Sequence, residues 1–169
     1  MRIPTSMLDE GLRLCANNIR RFVLDNYLLM RDASDWHALA SAIFAFEELA
    51  KYSELKLAKE SATCAEVEID TRLFRDHKYK QDIATKLLPP NAVELFPPHF
   101  DRKFFSSIYF DTEGTAVSPE LRLDAVFVNW KDGQWVHGSP FLPERMKNFI
   151  DGILNCLNRL ETEYQSTRR

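Results

Sequence analysis

The amino-acid sequence predicts a mainly α-helical fold, a bundle of four main helices with one small β-hairpin inserted before the last. Three observations predict it. Apolar residues recur at spacings of three and four in long segments, and only five glycines interrupt 169 residues. The one run of strand-forming residues is confined to about residues 123–137. The chain is long enough to bury a core and too short for two ordinary domains, so residues 1–169 read as a single helical domain.

The first helix is expected from about Met7 to Met30, where Leu8, Leu12, Cys15, Ile19, Phe22 and Val23 form one apolar face. Arg31 and Asp32 break the pattern, and Ser34 or Asp35 is a good N-cap for a second helix from Trp36 to about Glu60. Between Trp36 and Ala50 its only polar side chains are His37, Ser41, Glu47 and Glu48, the composition of a central helix. Its last third, Lys51 to Glu60, is charged and is expected to emerge into water. A polar link comes next, and Asp70 or Thr71 can cap a third helix from Arg72 to about Leu88, ended by Pro89 and Pro90. The segment Leu123 to Val136 carries β-formers on both sides of Asp132-Gly133, the signature of a hairpin. A last helix starts near Pro143 with Met146, Phe149, Ile150, Ile153, Leu157 and Leu160 on one stripe, and the tail Thr162 to Arg169 is expected to fray.

Composition narrows the function classes. Hydrophobic residues at 45% and charged residues at 28% describe a globular protein, and a net charge of −3 gives no global attraction to nucleic acid, so any RNA contact must be local. Cys15, Cys64 and Cys156 are scattered, which indicates neither a disulfide framework nor a zinc site. The four histidines include no Glu-x-x-His pair for a di-metal bundle, and there is no Gly-x-Ser-x-Gly elbow or glycine-rich phosphate loop. No metal or cofactor is expected. The first residues lack the apolar core of a signal peptide and no run reaches membrane-spanning length, so a cytoplasmic location without a membrane partner is expected.

Glu47 and Glu48 stand out because Ile43, Phe44, Ala45 and Phe46 precede them on an otherwise apolar helix. An inward carboxylate there needs a cation or hydrogen-bond donors. Lys51 can pair with either, at i+4 from Glu47 and i+3 from Glu48. In the third helix Leu73, His77, Lys80, Ala84 and Leu87 share a stripe, which places an imidazole and an ammonium among core residues. If that stripe meets the second helix, carboxylates and cations converge. Such a cluster is commonly a structural ion network, and it is also a means of shifting a pKa.

Three segments occur in order: Phe44-Ala-Phe-Glu-Glu-Leu-Ala-Lys51, Phe74-Arg-Asp-His-Lys-Tyr-Lys80, and Ala125-Val-Phe-Val-Asn-Trp-Lys-Asp-Gly-Gln-Trp135. This combination resembles the AbiV-type abortive infection family and, more distantly, the HEPN ribonuclease superfamily, from about Asp35 to the last helix. The resemblance implies a HEPN-like bundle, a role in bacterial antiphage defence and a homodimer. It also implies an Arg-x4–6-His pair, met here by Arg72 and His77 with Arg75 as a further cation. Leu73 departs from the small polar residue that often comes after the arginine in active members.

On that resemblance the chain is expected to act as a metal-independent endoribonuclease, the ribose 2′-OH attacking the adjacent phosphate. His77 is then the general base or acid, since imidazole titrates near neutral pH. Arg72, with Lys80, stabilises the phosphate oxygens, and Glu47 or Glu48 orients the basic residues. The alternative is a non-catalytic module that binds a phage or host protein through aromatic residues between Phe96 and Phe110 and through Trp130 and Trp135, which serve equally well to anchor an irregular segment to the bundle.

Overall fold

The computed structural model describes residues 1–31, 35–89, 92, 129–131, 134–136 and 143–167. Its elements run β1 (Arg2–Pro4), a 3-10 turn (Thr5–Met7), α1 (Leu8–Arg31), α2 (Asp35–Glu60), β2 (Glu66–Glu68), α3 (Arg72–Arg75), α4 (His77–Leu87), β3 (Asn129–Lys131), β4 (Gln134–Val136) and α5 (Pro143–Ser166). The fold is a helical bundle with a small hairpin before the last helix. Four expected features fall outside the described residues: the Ser34 cap, the 96–110 aromatic segment, the start of the hairpin and its Asp132-Gly133 turn.

The second helix is central because its sequence is apolar on every side. α2 packs against α1, α4 and α5, and Ala38, Leu39, Ala42, Ile43, Ala45, Phe46, Leu49 and Ala50 are all buried. Its alanines let neighbouring helices come close, and Phe46 meets Phe149 of α5 in a tilted ring pair 5.1 Å apart. α1 runs antiparallel to α2: Asn26 Nδ2 donates to the Ala38 carbonyl at 2.6 Å and Ser41 Oγ to the Phe22 carbonyl at 2.8 Å. The stripe read on the last helix is the buried one, with Met146, Phe149, Ile150, Ile153, Leu157 and Leu160 all in the core. α5 is tied to α1 by Arg20 with Glu161 at 2.6 Å and by Tyr27 with Asp151 at 2.9 Å.

The structure departs from the sequence reading in four places. The end of α2 emerges into water only in part: Leu57 and Glu60 are exposed, but Tyr52, Leu55 and Lys56 are buried, and Lys56 Nζ reaches Glu60 at 2.9 Å. The expected third helix is two, because Asp76 is extended (φ −102°, ψ 113°) and its side chain accepts from the Tyr79 N–H, capping a new helix. The polar link forms a strand, β2, paired antiparallel with β1 in the register Ile3 to Val67. The last helix continues to Ser166 instead of fraying from Thr162.

The β1–β2 pair sets the position of α3. It holds the chain beside the start of α1, buries Ile69, and delivers Asp70 to the point where α3 begins with Leu73 turned into the core. The hairpin pairs Trp130 with Trp135 across β3 and β4.

Two helical glycines test the packing in opposite directions. A Cβ on Gly152 of α5 would lie 2.8 Å from Ala92 Cβ, a contact no relaxed structure tolerates, whereas a Cβ on Gly11 of α1 meets only the tip of Leu55 at 3.2 Å. Alanine is favoured over glycine inside a helix by about 1 kcal/mol. Gly11→Ala is therefore expected to leave the thermal midpoint unchanged or raise it, and Gly152→Ala to lower it by several degrees. Adding Ala92→Gly to the second variant should restore most of the loss.

Candidate functional site

Neighbouring residues on a helix point about 100° apart, and α2 uses both of its adjacent glutamates, one on each side. Glu48 stays local: its carboxylate takes the Lys51 ammonium at 2.5 Å and lies against the Cys15 thiol of α1. Burial pushes the Cys15 thiol up to about 12, with the Glu48 charge adding to it, so this cysteine is a packed neutral group. None of the three cysteines is in a disulfide.

Glu47 faces the other way, into α4, and is 3% exposed. The Asp76 cap starts α4 at His77, so His77, Lys80 and Gln81 stand at i, i+3 and i+4 on the first turn and share one face. All three reach the carboxylate. His77 Nδ1 and Lys80 Nζ each lie 2.7 Å from Oε2, and Gln81 Nε2 donates to Oε1 at 3.0 Å. Lys80 and Gln81 are as buried as Glu47, whereas the His77 side chain is 33% exposed.

This geometry assigns the imidazole tautomer. Nδ1 must carry a proton to bond a carboxylate oxygen, so the neutral imidazole has its basic lone pair on Nε2. The 3.3 Å approach of Lys80 Nζ to Nδ1 then brings two donors to one shared oxygen and is not itself a hydrogen bond. Burial works to raise the Glu47 pKa, but the hydrogen bonds from Lys80, His77 and Gln81 and the Lys80 charge outweigh it and hold the carboxyl below its ordinary value. The Glu47–Lys80 pair is neutral as a unit, which is what allows it to be buried.

His77 also lines an open cleft of about 430 Å³ together with Thr71, Arg72, Arg75, Asp76 and Lys78. Three cations thus converge beside the imidazole despite the chain's overall negative charge. Within the cleft, Arg72 is held: its Nε and Nη2 donate to Asp70 Oδ2 at 3.0 and 2.7 Å, and its guanidinium carbon lies 4.4 Å from the centre of the Tyr79 ring. The hydrogen bond from Arg72 keeps the Asp70 carboxyl below the usual range, and the same bond raises the pKa of Arg72.

The sequence-read residues therefore separate into groups. Glu47, His77 and Lys80 come together; Arg72 and Arg75 join His77 at the cleft; Glu48 and Lys51 form their own pair on the opposite side of α2. Lys80 is turned to Glu47 and is not among the cleft-lining residues. Trp130 and Trp135 are placed by strand register alone. Gln81 was missed, although its position four residues after His77 marks it for the same face, and so was Lys78. Among the described residues no three His, Cys, Asp or Glu side chains gather as a metal site, and no helix is long and apolar enough to cross a membrane. Comparison of the chain with protein-family models, curated proteins and solved structures gave no match.

Two measurements check the network. Glu47→Ala strands the buried Lys80 ammonium and is expected to cost about 3 kcal/mol in denaturant unfolding, well above the cost of Glu48→Ala. The acid limb of stability carries the second. Because the folded Glu47 pKa lies below the unfolded one, the stabilisation is complete above about pH 4.3, the ordinary glutamate value, and is lost as pH falls through the folded pKa. The stability gap between the wild type and Glu47→Gln should therefore narrow below that pH. A gap of constant size down to pH 2 would show that the carboxylate is not what the network holds.

Proposed function

We propose that the protein is a metal-independent endoribonuclease that acts in bacterial antiphage defence, with its reaction centre at the His77 edge of the Arg72–Arg75–Lys78 cleft. The single observation that carries the enzymatic part is the 2.7 Å bond from His77 Nδ1 to a buried carboxylate, at the wall of a cleft rich in cations. Carboxylate-held imidazole beside cationic groups supplies a base and charge stabilisation for phosphoryl chemistry through an internal hydroxyl. The defence role rests on the resemblance to AbiV-type proteins.

In this reading the substrate phosphate sits among Arg75, Lys78 and the N-terminal end of α4, where cations and the helix dipole offset its charge. His77 Nε2 takes the proton from the ribose 2′-OH. The O2′–P bond forms as the P–O5′ bond breaks, and O5′ leaves with a proton, giving a 2′,3′-cyclic phosphate and a 5′-hydroxyl. Glu47 is a positioning residue: it fixes the imidazole tautomer and stabilises the imidazolium as it forms. Lys80 and Gln81 hold Glu47. One imidazole serves one proton transfer at a time, so a homodimer that shares clefts would supply the second.

The test is cleavage of total RNA by purified protein with chelator present. The wild type should yield fragments with cyclic-phosphate ends, His77→Ala should stay folded with a smaller fall in thermal midpoint than Glu47→Ala while losing at least a hundredfold in rate, and 2′-deoxy substitution at the cut site should block the reaction. Equal cleavage by His77→Ala would overturn the assignment. If neither protein cleaves, while His77→Ala still protects cells from phage, the protein acts by binding.

A further inference from the structure

We propose that the cleft takes unpaired RNA, and that Arg72 recognises it by stacking a base on its guanidinium. The inference rests on the ribonuclease reading and names its substrate class. Asp70 occupies one edge of the Arg72 fork through Nε and Nη2, and also accepts from the Arg72 backbone N–H at 2.9 Å. The donors a phosphate would use for a two-point contact on that edge are taken, and the Asp70 charge offsets the cation locally. The pair leaves the donors of the far edge and a flat, weakly hydrated surface held in orientation by Asp70.

Tyr79 defines which face of that surface is used. The ring lies 4.4 Å from the guanidinium carbon and is not among the cleft-lining residues, whereas Arg72 is. The guanidinium carbon thus sits over an aromatic ring while the side chain remains 60% exposed at the cleft. A base laid on the cleft side completes a base–guanidinium–phenol stack, a geometry that single strands supply and duplexes do not, because paired bases are stacked on their own neighbours. Arg72 lines the same cleft as His77, so the stacked base belongs to a nucleotide next to the scissile phosphate. Such a contact tolerates any base, so selection falls on unpaired structure more than on sequence.

The test reads binding without turnover, using a fluorescent single-stranded 2′-O-methyl RNA, which has no free 2′-OH to attack, and fluorescence anisotropy on the full chain. Arg72→Lys keeps the charge and removes the plane, and should weaken binding about tenfold. Tyr79→Leu should weaken it similarly, and Tyr79→Phe should restore what Tyr79→Leu loses. An abasic strand should bind the wild type about as weakly as the normal strand binds Arg72→Lys, with no further loss in that variant. Equal binding by wild type and Arg72→Lys, equal affinity for the matching duplex, or no binding by the wild type would each overturn the proposal. Cleavage by the wild type with an unchanged KM in Arg72→Lys would remove the stacking role and leave the ribonuclease reading standing. Base-dependent binding without cleavage would do the reverse.

Discussion

The structure depends on one buried carboxylate. Glu47 sits on the most enclosed helix of the bundle, and an isolated charge at such a position would not survive burial. It is kept by three donors from a single turn of α4, and meeting that demand fixes how far along α2 the fourth helix lies and how it is rotated. The consequence reaches outward. Because α4 must start at His77 to present that turn, Asp76 has to leave the helical conformation and cap it. The break gives α3 its own axis and opens the cleft between Thr71 and Lys78.

Close packing makes this arrangement possible. The donors of α4 must reach a carboxylate rooted on α2, so the two helices lie close, and the buried alanines of α2 keep the bulk of that helix small. The same economy of volume recurs where Gly152 of α5 meets Ala92. On the opposite side of α2 the second carboxylate makes no such demand. Glu48 finds Lys51 within its own helix and meets α1 at the Cys15 thiol, and α1 packs largely by apolar contact with two side-chain bonds to backbone carbonyls.

Most of this was legible where a signal was local. Periodic apolar spacing located the long helices, and two acidic residues in an apolar helix marked the site before any contact was known. His77 and Lys80 were legible for the same reason. Gln81 was not, since an uncharged amide raises no alarm in a helical sequence, yet it satisfies the second carboxylate oxygen. The break at Asp76 was hidden because the i+3 and i+4 spacing of the stripe Leu73, His77, Lys80 and Ala84 continues across it. The β1–β2 pair joins segments more than sixty residues apart, and one of its three-residue strands ends in proline while the other begins and ends in glutamate. Neither strand carries a β signal of its own, so only tertiary proximity defines them.

The site is graded from the core outward, and under the proposed chemistry that gradation separates the groups that hold the fold from those that meet substrate. Lys80 and Gln81 are sealed with Glu47, His77 is one-third exposed, and the Arg72 side chain is more than half exposed. Each residue on this line is oriented by the one beneath it or by a fixed neighbour: Glu47 by Lys80 and Gln81, His77 by Glu47, Arg72 by Asp70 and Tyr79. A group that reacts with an external molecule has to reach solvent, and a group that must hold a geometry has to be packed. Placing the imidazole at the boundary, with its Nδ1 anchored in the core, satisfies both requirements with a single side chain. The outer arginine, with little packing of its own, gets its order from an ion pair and a ring.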